Sequence, residues 1–137
     1  MLSDKECPMP TTILVVEDHD TLRKFVREWL ALEFPCCRVV AASCGEEAIA
    51  LTRIESPRVV VTGISLPGMN GIDVVRQIKA ILPCAHFVML TIHEEQAYRA
   101  EATLAGASAY VPKRLILTEL IPAIAALLTN DGDCESV

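Results

Sequence analysis

Several things are scarce or missing in this 137-residue chain, and each shortage excludes something. Aromatic residues make up only 4%, yet 52% of the chain is hydrophobic and 22% charged, so a core can form and disorder is excluded. Basic residues are outnumbered, twelve Lys and Arg against eighteen Asp and Glu, a net charge of −6. Such a chain lacks the basic face that phosphate neutralisation requires, so direct nucleic-acid binding is not expected. The longest uncharged stretches, Val59–Ile72 and Ala80–Ile92, each contain a proline and fall short of the ~20 apolar residues that span a bilayer. The opening segment MLSDKECPMP has no apolar core of a signal peptide, which makes the cytoplasm the expected location. The six cysteines (Cys7, Cys36, Cys37, Cys44, Cys84, Cys134) form no C-x-x-C pair, and no histidine stands at zinc-finger spacing. They read as reduced, mostly buried small residues.

Short apolar runs alternate with longer amphipathic ones. Thr12–Val16, Arg38–Ala42, Arg58–Thr62, His86–Thr91 and Ser108–Val111 read as strands. The third is β-branched at consecutive positions, as expected where both faces of a sheet are covered. Between them lie helical patterns. Asp20 to about Phe34 carries Leu22, Phe25, Val26, Trp29 and Leu30 on one face. Gly45–Glu55 is weaker. Asn70 is placed to cap a helix running to about Leu82. Glu94–Ala105 has two acids in its first turn and Gly106 as its stop. Thr118 is placed to cap a last helix to about Thr129, with Leu117, Ile121, Ile124 and Leu128 inward.

Five strands alternating with five helices predict a doubly wound, all-parallel α/β/α sandwich spanning about residues 12–129. Residues 1–11 then form an N-terminal extension and 130–137 a solvated tail. In such folds ligands bind outside the carboxyl ends of the strands. Glu17 and Asp18 follow the first strand, Thr91 ends the fourth, and Lys113 follows the fifth. Two acids, a hydroxyl and an ammonium facing one crevice suit phosphoryl chemistry on a hard metal ion. A nucleophile is what this set lacks, because the third strand ends in Thr62-Gly63-Ile64.

Four segments carry a specific resemblance: ILVVEDHDTLR at 13–23, PRVVVTGISLPGMNGIDVVRQIK at 57–79, HFVMLTIHEE at 86–95 and GASAYVPKR at 106–114. In this order and spacing they resemble a response-regulator receiver domain of the CheY-like superfamily, in particular receivers that precede a helix-turn-helix output domain. The resemblance implies a flavodoxin-like five-stranded sheet of order 2-1-3-4-5. It implies that Glu17 and Asp18 match the acids that hold Mg²⁺, with the Ser65 carbonyl completing the metal site. Thr91 matches the hydroxyl that contacts the phosphoryl group, Tyr110 the aromatic switch, and Lys113 the lysine that pairs with the phosphoacceptor. Gly63 falls on the phosphoacceptor aspartate itself.

Glycine cannot form an aspartyl phosphate, and the loss of one carboxylate takes the pocket from −2 to −1 and weakens any Mg²⁺ site. Lys113, without its usual partner, is expected to turn toward Asp18. Arg58, where the family often has an acid, and Pro112, before rather than after the lysine, are smaller departures.

The expected function is therefore that of a degenerate, non-enzymatic receiver in two-component-type signalling. It would act through contacts with a histidine kinase, another regulator or an output protein, require no cofactor, and bind Mg²⁺ weakly at most. Residues 86–129 are the expected partner face, and homodimerisation stays open. The chain ends where a linker to a DNA-binding domain would begin, so no direct transcriptional output is expected. Two alternatives stand beside this reading: phosphorylation at another residue such as Thr62 or Ser65, and a small-ligand or anion sensor that uses the space left by Gly63. A thiol sensor at Cys36-Cys37 is a weaker third.

Overall fold

The computed structural model describes residues 11–129. The N-terminal extension, apart from Thr11, and the C-terminal tail lie outside the described residues. Five parallel strands form one sheet: β1 (Thr11–Val16), β2 (Cys37–Ala42), β3 (Val59–Thr62), β4 (His86–Thr91) and β5 (Ala109–Pro112). Their order is β2-β1-β3-β4-β5, the order expected. The helices are α1 (Asp20–Glu33), α2 (Gly45–Glu55), α3 (Gly71–Ile81), α4 (Gln96–Ala105) and α5 (Ile116–Leu128).

The strands are buried on both faces, and each face has its own core. Ile13, Val15, Val59, Val61, Val88 and Leu90 pack with Val26 and Leu30 of α1 and Leu120 and Ile124 of α5. The alternate residues Leu14, Val16, Val60, Phe87 and Met89 pack beneath α2, α3 and α4. The period of two along each strand sorts the side chains between the layers.

Local rules explain most element ends. Asn70 caps α3 as expected, its Oδ1 accepting from the N–H groups of Ile72 at 2.8 Å and Asp73 at 3.0 Å. Gly106 ends α4 at φ +123°, a conformation that favours glycine. Three expectations are corrected. Glu94 and Glu95 precede α4 rather than forming its first turn, and Glu94 instead takes Arg114 in a two-point pair at 2.8 and 3.0 Å. Thr118 does not cap α5, because a 3₁₀ turn at Lys113–Leu115 starts the helix at Ile116. Leu120 and Ile124 of α5 are buried, whereas Leu117, on the same face but in the first turn, is 70% exposed. Phe25 of α1 is also more exposed than its spacing suggested, and stacks on the partly buried Trp29 with ring centroids 5.5 Å apart.

The cysteines differ from expectation as well. Cys36 and Cys84 are disulfide-bonded, whereas Cys44 is a free thiol. Both bonded residues precede strands, at the end of the sheet opposite the carboxyl ends.

One close approach fixes the geometry of the β3–α3 connection. The Gly71 N–H donates to the Ile64 carbonyl at 2.7 Å, and a Cβ on Gly71 would overlap the Gly63 carbonyl. Neither partner is a flexible side chain, so Gly71→Ala is expected to destabilise the fold by about 1–3 kcal/mol. Urea denaturation checks this; wild-type stability in that variant would show that the loop relaxes freely.

Candidate functional site

In a parallel sheet the register decides which residues meet beyond the strand ends. Val16 pairs with Thr62, Thr62 with Met89, and Thr91 with Pro112. The next residues along the chain, Glu17, Gly63 and Lys113, therefore meet at the carboxyl edge beside Thr91. There they line a cavity of about 520 Å³, together with Asp18 and Ser65. Tyr110 stands to one side of it. The structure thus brings together six of the seven residues singled out in the sequence.

Glu17 is the anchor. Its side chain is only 3% exposed, and its Oε1 lies 3.0 Å from Lys113 Nζ. Oε2 accepts from the His19 N–H at 3.1 Å, and the Glu17 carbonyl accepts from Arg23 at 2.9 Å. The expected Lys113–Asp18 pair is corrected by this contact: Glu17 follows β1 directly and points inward, whereas Asp18 is exposed. A buried carboxylate needs a partner more than an exposed one does, so the lysine goes to Glu17.

Gly63 is buried, and its N–H donates to the Val16 carbonyl at 3.2 Å. A Cβ placed on it would meet only the Leu90 carbonyl at 3.4 Å and Glu17 Oε1 at 3.6 Å. The site therefore has room for a side chain but holds none. The donor set fits Mg²⁺ poorly. Both Glu17 oxygens already have partners, and among the described residues no three His, Cys, Asp or Glu side chains are grouped to hold a metal.

The hydroxyls near Gly63 are also engaged. Thr62 Oγ1 is buried and donates to the Gly63 carbonyl at 3.0 Å. Ser65 Oγ lies 2.8 Å from His93 Nε2. His93 was not among the sequence candidates, because the three histidines show no spacing of a ligand set. Its importance is spatial. Its N–H donates to Thr91 Oγ1 at 3.1 Å, its carbonyl accepts from Tyr110 OH at 2.7 Å, and its ring lies 4.6 Å from that of Tyr98. The Arg99 guanidinium covers the Tyr110 ring at 4.5 Å. Burial pushes the Tyr110 phenol above its ordinary pKa, a shift that nearby Arg99 opposes. Beside this group, the hydrogen bond from Arg114 holds the Glu94 carboxyl below its ordinary range.

Fold and crevice together define a doubly wound signalling module in which an acid after β1, a hydroxyl ending β4 and a lysine after β5 face one another. The chain belongs to the response regulator receiver domain family, whose pattern matches residues 13–125. It is similar to the response regulator UvrY of Escherichia coli strain K12, 33% identical over 119 residues, which cover 86% of this chain and 54% of that protein. The chain thus spans about half the length of the curated relatives it matches. It is also similar to the crystal structure of a LuxR-family two-component response regulator from Aurantimonas sp. SI85-9A1. That match has a TM-score of 0.82 and 33% identity, covering 89% of this chain and 87% of the other. A CheY-like receiver domain from Methanospirillum hungatei shares the fold at a TM-score of 0.83 and 23% identity, covering 91% of this chain and 98% of the other.

Proposed function

We propose that this chain is a degenerate receiver, a non-enzymatic module that signals through protein contacts and takes no phosphoryl group on aspartate. The observation that carries this reading is Gly63. It lies at the end of β3 beside Glu17, in the crevice that Lys113 and Thr91 also line, and it brings no carboxylate there. The Lys113–Glu17 pair supports it, because the lysine is already neutralised inside the fold.

The partners are proteins: a histidine kinase, another regulator or an output protein. The face offered to them comprises residues 86–129, where Ile92, Leu104 and Leu117 are exposed. Input then comes from abundance or from a partner that prefers one conformation, since only differential affinity shifts an equilibrium. The proposed setting is the cytoplasm. Among the described residues no helix is long and apolar enough to cross a membrane. The disulfide-bonded Cys36 and Cys84 run against the reducing habit of that compartment and stand at the far end of the sheet. An anion sensor is disfavoured by the lining acids Glu17 and Asp18, which outnumber Lys113.

Incubation with acetyl phosphate and Mg²⁺, followed by intact-mass measurement, tests the proposal. The expected result is an unchanged mass. A phosphoryl adduct that hydroxylamine removes, the mark of an acyl phosphate, would overturn it.

A further inference from the structure

We propose that His93 is a latch, joining the β3–α3 loop to the β4–α4 loop and holding Tyr110 in place with no phosphoryl group present. This rests on the reading that residue 63 accepts none.

In this fold the ends of β3, β4 and β5 are joined side by side, but Gly63 offers no side chain with which β3 can reach Thr91. The link is made two residues further on. Ser65 Oγ meets His93 Nε2 at 2.8 Å, across 28 residues of chain. The backbone groups of His93 reach the adjoining strands: its N–H goes to Thr91 Oγ1 at 3.1 Å, and its carbonyl takes the Tyr110 hydroxyl at 2.7 Å, while its ring Nδ1 lies 4.0 Å from Glu95 Oε1. One residue thus ties the loop after β3 to the end of β4 and to the middle of β5. α4 closes the arrangement from outside, with Tyr98 against the His93 ring and Arg99 over the Tyr110 ring.

These bonds share one residue, so they form and break together. Each alone is a modest contribution, but loss of the cross-loop bond frees the His93 backbone that holds Tyr110. The loop therefore has a latched arrangement and an open one, and the latch sets their ratio. A partner that binds the latched face meets a conformation already populated and loses little affinity to reorganisation.

The test uses the full chain labelled with 3-fluorotyrosine and no phosphodonor, so it fails separately from the mass experiment above. The two tyrosines give two fluorine resonances, and Tyr110→Phe identifies that of Tyr110. In Ser65→Ala and in His93→Ala the Tyr110 resonance is expected to move toward that of free fluorotyrosine. Amides at 92–98 are expected to exchange roughly three- to ten-fold faster, with the melting temperature nearly unchanged. Ser65 is exposed, so Ser65→Ala decides the matter even where His93→Ala fails to fold. A wild-type Tyr110 resonance and wild-type exchange in Ser65→Ala would overturn the latch, whatever His93→Ala does.

Discussion

Gly63→Asp is expected to convert the pocket into a magnesium-dependent phosphoryl acceptor. The backbone at residue 63 has no positive φ, and the new Cβ would make only ordinary contacts, at 3.4 and 3.6 Å. Its carboxylate would enter the crevice beside Glu17 and Asp18 and compete for Lys113. With Asp20 held by Arg23 at 2.7 Å, the new carboxylate, Glu17 and Asp18 then stand as three acids against one ammonium. Without a cation the variant should be less stable than the wild type, because like charges share a poorly solvated space. With Mg²⁺ the same charges become a ligand set, and affinity rises with their number. At a free Mg²⁺ concentration a hundred times its dissociation constant, the linkage gain is about 2.7 kcal/mol. Calorimetry should show Mg²⁺ binding in the variant and little in the wild type. It is the better probe, since Trp29 packs on α1 with the core on that side of the sheet and not at the crevice. Acetyl phosphate should then add one phosphoryl group to the variant alone. No gain in Mg²⁺ binding would mean that Glu17, Asp18 and Lys113 no longer act as one site.

Lys113→Met is expected to be the most damaging single change at the crevice. It removes the ammonium 3.0 Å from Glu17 Oε1 and leaves a carboxylate that is 97% shielded with only the His19 N–H as partner. Breaking a fully buried pair this way costs about 3–5 kcal/mol, but Lys113 is 26% exposed and water partly replaces it, so about 2–3 kcal/mol is expected. Urea denaturation measures it. Adding Glu17→Gln should recover most of the loss, because a neutral amide needs no counter-charge. A single variant within about 0.5 kcal/mol of wild type would instead place the pair among ordinary surface salt bridges.

Much of the fold was legible because it rests on local chemistry. Consecutive β-branched residues in β3, the Asn70 cap and the Gly106 stop each have a mechanism that acts within a few residues, and strand and helix alternation then leaves few topologies. The errors lie where distant groups compete. Glu94 reads as a first-turn acid until Arg114, twenty residues on, takes it. Leu117 reads as inward from its spacing to Ile124, but it stands in the first turn of α5 and is left exposed. At the crevice the residues were legible but not their pairing: sequence places Glu17 and Asp18 side by side, and only burial decides which one holds Lys113. His93 was invisible for a different reason. It acts through its backbone and through a serine in another loop, and no spacing along the chain records that.

The close approach of Gly71 to the Gly63 carbonyl has a genetic corollary. That contact involves only main-chain atoms of residue 63, so the start of α3 is held the same way whatever side chain residue 63 carries. Scaffold and chemistry are thus separable at this position. Two of the four glycine codons lie one base from an aspartate codon, so where Gly63 is encoded by one of these, a population selected for response to a kinase gains the acceptor in a single step, without first rebuilding the loop that presents it.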